Sequence, residues 1–132
     1  MSRYLLDTNA VIALLNDPRS ALGKRVRRHK PEEFCISAIV AHELFYGAFK
    51  SRHAAANIAL VEAIRFEVLE LDRDDARHAG QIRAQLGAQG TPIGPYDVLI
   101  AGQARARGLI LITHNTREFS RVPDLKSEDW TK

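Results

Sequence analysis

The chain has no means of forming an internal disulfide: its single cysteine is Cys35. That residue lies in the apolar run Phe34-Cys35-Ile36 and reads as a small buried hydrophobe rather than a reactive thiol. Such sparse cysteine fits a reducing compartment. No apolar stretch approaches the roughly 18 residues a membrane span needs, and the N-terminus has no long apolar leader segment. The expectation is a cytoplasmic protein with no membrane partner. Repeats, low-complexity tracts and interdomain linkers are missing as well. The histidines, at positions 29, 42, 53, 78 and 114, form neither a His-x-x-x-His nor a Cys-His zinc pattern. There is no Gly-x-x-x-x-Gly-Lys phosphate loop and no Gly-x-Ser-x-Gly elbow, so P-loop and serine-hydrolase chemistry have no anchor.

What remains is enough for one domain spanning residues 1–132, with 45% hydrophobic residues to build a core without disulfides. The net charge of +3 is mildly basic; it favours a polyanionic partner without establishing one. Apolar runs predict strands at 4–7, 34–36, 66–71 and 109–112, with an edge strand in the tail 125–130. Between them helical patterns predict helices at 8–16, 20–29, 38–50, 53–64, 73–89, 96–107 and 116–120. Ser20, Ser37 and Asp72 stand at N-cap positions, and Gly108 follows a helix end. Alternation of this kind predicts an α/β fold, an α/β/α sandwich around a central, mostly parallel sheet.

Four acids stand out in that frame. Asp7 ends the first strand and is followed by Thr8-Asn9 and the next helix, where ligands bind in open α/β sheets; a helix cap is the plainer use. Glu43 shares a helix face with Ile39, Val40, Tyr46 and Gly47, and a carboxylate on a mostly apolar face needs a partner, a proton or a metal. Gly47, one turn on, leaves room either for a ligand or for close helix packing. Asp97 opens a helix beside Ile100 and Ala101, where capping or dipole compensation would also explain it. Glu118 lies past the fourth strand with Asn115 in the same turn, and could instead be solvated and paired with Arg117 or Arg121. All-oxygen clusters select hard cations such as Mg²⁺ or Mn²⁺. Such an ion offsets the carboxylates' mutual repulsion, activates water and stabilises the oxygens of an in-line phosphoryl displacement.

Four segments in order then resemble a known family: Leu6-Asp7-Thr8-Asn9; His42-Glu43-Leu44 with Gly47; Ile93-Gly94-Pro95-Tyr96-Asp97-Val98-Leu99-Ile100-Ala101; and Ile112-Thr113-His114-Asn115-Thr116-Arg117-Glu118-Phe119. Together they look like a PIN-domain ribonuclease, and more narrowly like the VapC toxins of bacterial toxin–antitoxin pairs. The resemblance covers essentially the whole chain. It implies an endoribonuclease dependent on Mg²⁺ or Mn²⁺, with one or two ions. Asp7, Glu43 and Asp97 match the family's three core acids. Many PIN domains place a fourth, an Asp, near the 113–115 turn. Here that turn offers Asn115 and Glu118, and the fourth role is assigned to Glu118 with Asn115 assisting. Thr8 and Asn9 look like support for the acids. The resemblance also implies a homodimer, inhibition by a VapB-type antitoxin inserted into the active groove, DNA contact only through that antitoxin, and tRNA as the substrate, with the anticodon stem-loop of initiator tRNA the leading target.

Basic residues carry less information. Lys24, Arg25, Arg27 and Arg28 form the densest run; an ordinary solvated helix face explains it, and phosphate contact is the functional alternative. Arg105 and Arg107 are similar minor candidates. Tyr46 and Phe49 could stack on bases, but core or dimer packing is the expected use. His114 is expected beside the site rather than as a ligand. Two other functions remain open at this point. One is a phosphatase-type hydrolase with Asp7 as nucleophile, weakened by Asn9 where such enzymes carry a second Asp. The other is a non-catalytic nucleic-acid-binding regulatory module.

Overall fold

The computed structural model describes residues 2–132. Five short strands form one sheet: β1 (Tyr4–Leu6), β2 (Phe34–Ser37), β3 (Glu67–Leu69), β4 (Ile110–Ile112) and β5 (Ser127–Glu128). Their spatial order is β3-β2-β1-β4-β5, and every pairing is parallel. Seven helices connect and cover them: α1 (Thr8–Asn16), α2 (Ala21–Val26), α3 (Ala38–Lys50), α4 (Ala54–Glu62), α5 (Arg73–Ala88), α6 (Pro95–Arg107) and α7 (Thr116–Phe119). Because helices cover both faces, the inner strands read as continuous apolar runs rather than alternating ones. Leu5, Leu6, Phe34, Cys35, Ile36, Leu111 and Ile112 are all buried. Burial pushes the Cys35 thiol up to about 11, so it packs as an inert hydrophobe. No helix among the described residues is long and apolar enough to cross a membrane.

The chain order places the functional end. From β1 the chain builds outward through β2 to β3, then returns past β1 to add β4 and β5 on the other side. The reversal point lies between β1 and β4, at whose carboxyl ends a parallel sheet opens a crevice. The register Leu6↔Ile112 sets Asp7 beside Thr113 there, and the Asp7 amide donates to the Ile112 carbonyl at 3.2 Å.

Helix α6, which brings Asp97 to the crevice, is fixed by its contact with α5. A Cβ on Gly102 would lie 2.6 Å from the Ala79 backbone nitrogen, so only glycine permits the helices to approach this closely. Near the far end of α6, fully buried Asp75 accepts from Arg107 Nε and Nη2 at 3.2 and 3.0 Å and from Gln103 Nε2 at 2.9 Å. Burial alone would raise that carboxyl, but these donors and the Asp72 amide outweigh it and hold it below the usual range. Arg105 is likewise bound to His78, Gln81 and the Pro123 carbonyl. Both arginines therefore tie α6 to its surroundings rather than standing free for phosphate.

Most element ends agree with the sequence pattern, and the exceptions have local causes. Helix α2 ends at Val26 rather than at residue 29. Pro31 disfavours helical backbone at the residue before it, and the His29 ring stacks on Trp130 at 5.4 Å instead of continuing the helix. Residues Pro31–Glu33 form a 3₁₀ turn that the sequence pattern did not anticipate. Strand β3 is shorter than 66–71 because it lies at the sheet edge, where Val68 is exposed. The tail does add the other edge strand, β5.

Candidate active site

Asp7 caps a helix and also bonds across to the turn after β4. Its Oδ1 accepts the Ala10 amide at 2.8 Å, capping α1, and its Oδ2 accepts the Thr113 hydroxyl at 2.6 Å. It is only 6% exposed. Burial raises its pKa, opposed by those two donors and reinforced by the Glu43 charge. The Thr113 hydroxyl in turn accepts the Asn115 amide at 2.9 Å. Thr113 is thus the buried pin that joins the β1 end to the turn after β4. The sequence placed Thr113 in the 113–115 turn without giving it a role; the parallel register between β1 and β4 pairs it with Asp7.

Glu43 lies in the second turn of α3, which Ser37 caps by accepting the Ile39 amide. The half-buried carboxylate accepts the Thr8 hydroxyl at 2.8 Å, so Thr8 does support an acid, across two helices. Asn9 is exposed and lines the cleft beside Glu43.

Asp97 stands in the first turn of α6, after Pro95 at the N-terminus. Its pKa is pushed up to about 6, first by burial and then by the charges of Glu118, Asp7 and Glu43. Asp97 therefore lies within electrostatic range of the other three acids. Glu118, on α7, accepts Asn115 Nδ2 at 2.9 Å and the Gly94 amide at 3.1 Å. These donors hold its carboxyl below the usual range. Asn115 and Glu118 thus act as a pair, the amide orienting the carboxylate. The ion pair of Glu118 with Arg117 or Arg121 is not formed at contact distance; Arg121 acts on it only as a more distant charge. Asp97 is biased toward the acid and Glu118 toward the carboxylate, a division that marks sites able to bind cations or move protons.

The absence of counter-charge is as informative as the acids. Among the described residues, no Lys or Arg forms an ion pair with Asp7, Glu43, Asp97 or Glu118. Nor do any three Asp, Glu, His or Cys side chains close around one point as a ready-made cage. An open, all-oxygen cluster suits an ion such as Mg²⁺, which keeps several waters and takes one or two carboxylates. The donor set and the uncompensated charge therefore fit a hard divalent cation.

His114 is exposed and follows Thr113. Its Nδ1 lies 3.1 Å from both Asp129 Oδ2 and Thr131 Oγ1, so it is anchored beside the site. Its charge favours ionised Asp7. The basic run is divided: Arg25 stacks over Trp130 at 4.5 Å and approaches Glu128 at 3.5 Å, and Arg27 donates to the Pro18 carbonyl. Lys24, Arg25 and Arg28, with Lys132, line one depression. Tyr46 and Phe49 are 61% and 66% exposed, so of the expected core or dimer packing the core alternative does not hold. They lie on the outward side of α3, whose inward side is formed by Val40, Leu44 and Ala48.

The chain is similar to known proteins along almost its whole length. A family model described as PIN domain matches residues 4–125. A tRNA(fMet)-specific endonuclease VapC from Shigella flexneri is 44% identical over 133 residues, covering 99% of this chain and 100% of the relative. A protein of the same name from Salmonella typhimurium is 45% identical over 132 residues, covering 98% and 99%. A crystal structure of DNA-bound VapBC from Salmonella typhimurium superposes with a TM-score of 0.93 at 45% identity, covering 98% of this chain and 99% of that one.

Proposed function

The chain belongs to the PIN-domain family, and on that premise we propose that it is the VapC-type toxin of a toxin–antitoxin pair, an endoribonuclease that cuts tRNA in the cytoplasm. The observation that carries the chemistry is Asp97, near the point where the strand order reverses, raised by burial and by the charges of Glu118, Asp7 and Glu43, with no Lys or Arg among the described residues paired to any of the four. Such a site rejects a bare phosphodiester and accepts one only with divalent cations. Asp7, Glu43, Asp97 and Glu118 would hold Mg²⁺ or Mn²⁺, one ion or two. When bound, the metal supplies Lewis-acid charge at the phosphoryl oxygens and activation of water. Thr113, Thr8 and Asn115 keep Asp7, Glu43 and Glu118 in place. Asp97, poised near 6, is suited to take up or release a proton as the site fills.

Initiator tRNA is the leading substrate, because full-length relatives at 44% and 45% identity are named for tRNA(fMet). The chain that superposes at 0.93 comes from a DNA-bound VapBC structure, which supports a VapB-type antitoxin as partner, with DNA reached through it, and we propose a homodimer as the toxin's own assembly. A nucleophilic Asp7 is disfavoured: the residue is 6% exposed and each carboxylate oxygen already accepts a hydrogen bond. The test is purified protein incubated with total tRNA, with and without EDTA, followed by sequencing of new ends. The expected result is metal-dependent cuts at one site in initiator tRNA. Full cleavage in EDTA would refute the metal role, and no cleavage of any RNA with metal would refute the nuclease.

A further inference from the structure

Beside the four acids lies a cleft that their chemistry leaves unused. It has a volume of about 650 Å³, within the range typical of small-ligand sites. One wall is a strip along α3 made by His42, Tyr46 and Lys50, which fall at successive helical turns and so share a face. Tyr96, the residue before Asp97, also lines the cleft, and its ring meets His42 of this strip edge-on at 5.4 Å. Glu43 lines the same cleft, so the space is continuous with the acidic site. Tyr46 and Tyr96 are 61% and 47% exposed, and Lys50 Nζ sits 4.7 Å from the Tyr46 ring. The floor is open because position 47 is glycine. A Cβ there would meet no atom within 4 Å, which removes close helix packing as the reason for it.

We propose that this cleft holds one unpaired nucleotide of the RNA, its base stacked on Tyr96 and Tyr46 and a flanking phosphate drawn to Lys50, next to the bond that is cut. The proposal rests on the nuclease reading above. Each component matches a part of a nucleotide. Exposed aromatic rings offer π-faces to a base, and such stacking is tolerant of base identity. Lys50 is the cation lining the cleft, and it lies two turns from Glu43, away from the acids that repel phosphate. A base in an A-form helix is stacked between its neighbours and has no face to offer. The cleft therefore selects loops over duplexes, and the acidic site acts on whichever phosphate the stacked base brings to it.

The experiment measures cleavage by the full-length protein of a short RNA stem-loop and of the same loop sequence closed into a duplex, both with Mg²⁺ or Mn²⁺. The variants are Tyr96→Ala, Tyr46→Ala, Tyr96→Phe and Lys50→Gln. The two alanine variants are expected to raise KM for the stem-loop by about 5- to 100-fold with kcat little changed, the pattern of lost ground-state binding. Tyr96→Phe keeps wild-type KM because the ring remains, and Lys50→Gln flattens the salt dependence of KM. The wild type cuts the stem-loop and spares the duplex. Unchanged KM in both alanine variants, with wild-type cleavage intact, overturns the cleft and leaves the nuclease standing. The cleft is overturned equally if those variants alter only the molecular mass in solution or the affinity for the antitoxin, which would assign the rings to a protein interface. A wild type that cuts neither RNA removes the nuclease reading and the cleft with it.

Discussion

Replacing Asp97 by Asn should make the metal-free protein more stable and inactive at once. In the fold, Asp97 titrates near 6 against an ordinary 3.8, raised first by burial and then by Glu118, Asp7 and Glu43. The folded state therefore holds a proton that the unfolded state releases between about pH 4 and 6. Stability falls as pH rises through that window and stays low above it. A shift of about two pKa units corresponds to at most about 3 kcal/mol. The side chain is only half-buried, so solvent screening reduces this to about 1–2 kcal/mol. Asn carries no charge at any pH and escapes the penalty. In EDTA, Asp97→Asn and wild type should melt together near pH 4 and separate by about 3–10 °C at pH 8, with the variant higher. Millimolar Mg²⁺ or Mn²⁺ should raise the wild type and leave the variant nearly unmoved, closing the gap. Thermal melts at four pH values, each with and without metal, read all of this. A gap that is constant from pH 4 to 8, or a variant less stable at pH 8, would refute the account of mutual carboxylate repulsion.

Asp7→Asn should abolish cleavage while melting within a few degrees of wild type, since the amide oxygen can still cap α1 and the Thr113 hydroxyl can turn to meet the new NH₂ group; normal cleavage with metal present would remove Asp7 from the site. Thr113→Val deletes the hydroxyl that serves both Asp7 and the Asn115 amide, and should cost about 1–3 kcal/mol in urea unfolding and about 10- to 100-fold in activity; an unchanged rate would make the pin merely structural. Gly47→Ala should stabilise α3 by up to about 1 kcal/mol, because its methyl enters open space; a loss of stability would mean that position 47 is packed after all.

Legibility differed between the fold and the site, for physical reasons. Periodicity and caps are local, so α1, α3 and α5 with their capping residues Asp7, Ser37 and Asp72 were readable from neighbours in the chain. Ends set by distant contacts were not: α2 stops at Val26 because His29 finds Trp130, about a hundred positions away. The same division runs through the site. Asp7 at a strand end, and Glu43 and Asp97 on partly apolar helix faces, could be singled out from their neighbours, although a helix cap also explained Asp7 and Asp97; the structure brings Asp7 and Glu43 within range of Asp97. Thr113 and Gly94, which hold Asp7 and Glu118, are invisible until the sheet register and the loop before α6 place them. Asn115 and Glu118 lie three positions apart, and the expected assistance takes the form of a hydrogen bond from Asn115 Nδ2 to the Glu118 carboxylate.

The choice of partners explains why the cluster is built from weak links. Asp7, Glu43 and Glu118 are each held by neutral donors: the hydroxyls of Thr8 and Thr113, the Asn115 amide and the backbone amides of Ala10 and Gly94. A lysine or arginine in any of those places would bind its carboxylate more strongly and relieve the repulsion that lifts Asp97. It would also occupy the oxygens and cancel the charge that a divalent cation needs. The protein does use arginine in that way where no ligand is wanted: Arg107 locks buried Asp75 at the other end of α6. One helix thus carries a compensated acid contact at its C-terminal end and an uncompensated acid at its first turn. The first fixes α6 in place, so the second cannot escape its neighbours by moving away. Breaking the lock with Arg107→Met should therefore loosen α6, lower the Asp97 pKa toward its ordinary value and weaken metal binding together. An Asp97 titration unmoved in that variant, followed by carboxyl NMR, would show that the two ends of the helix are independent.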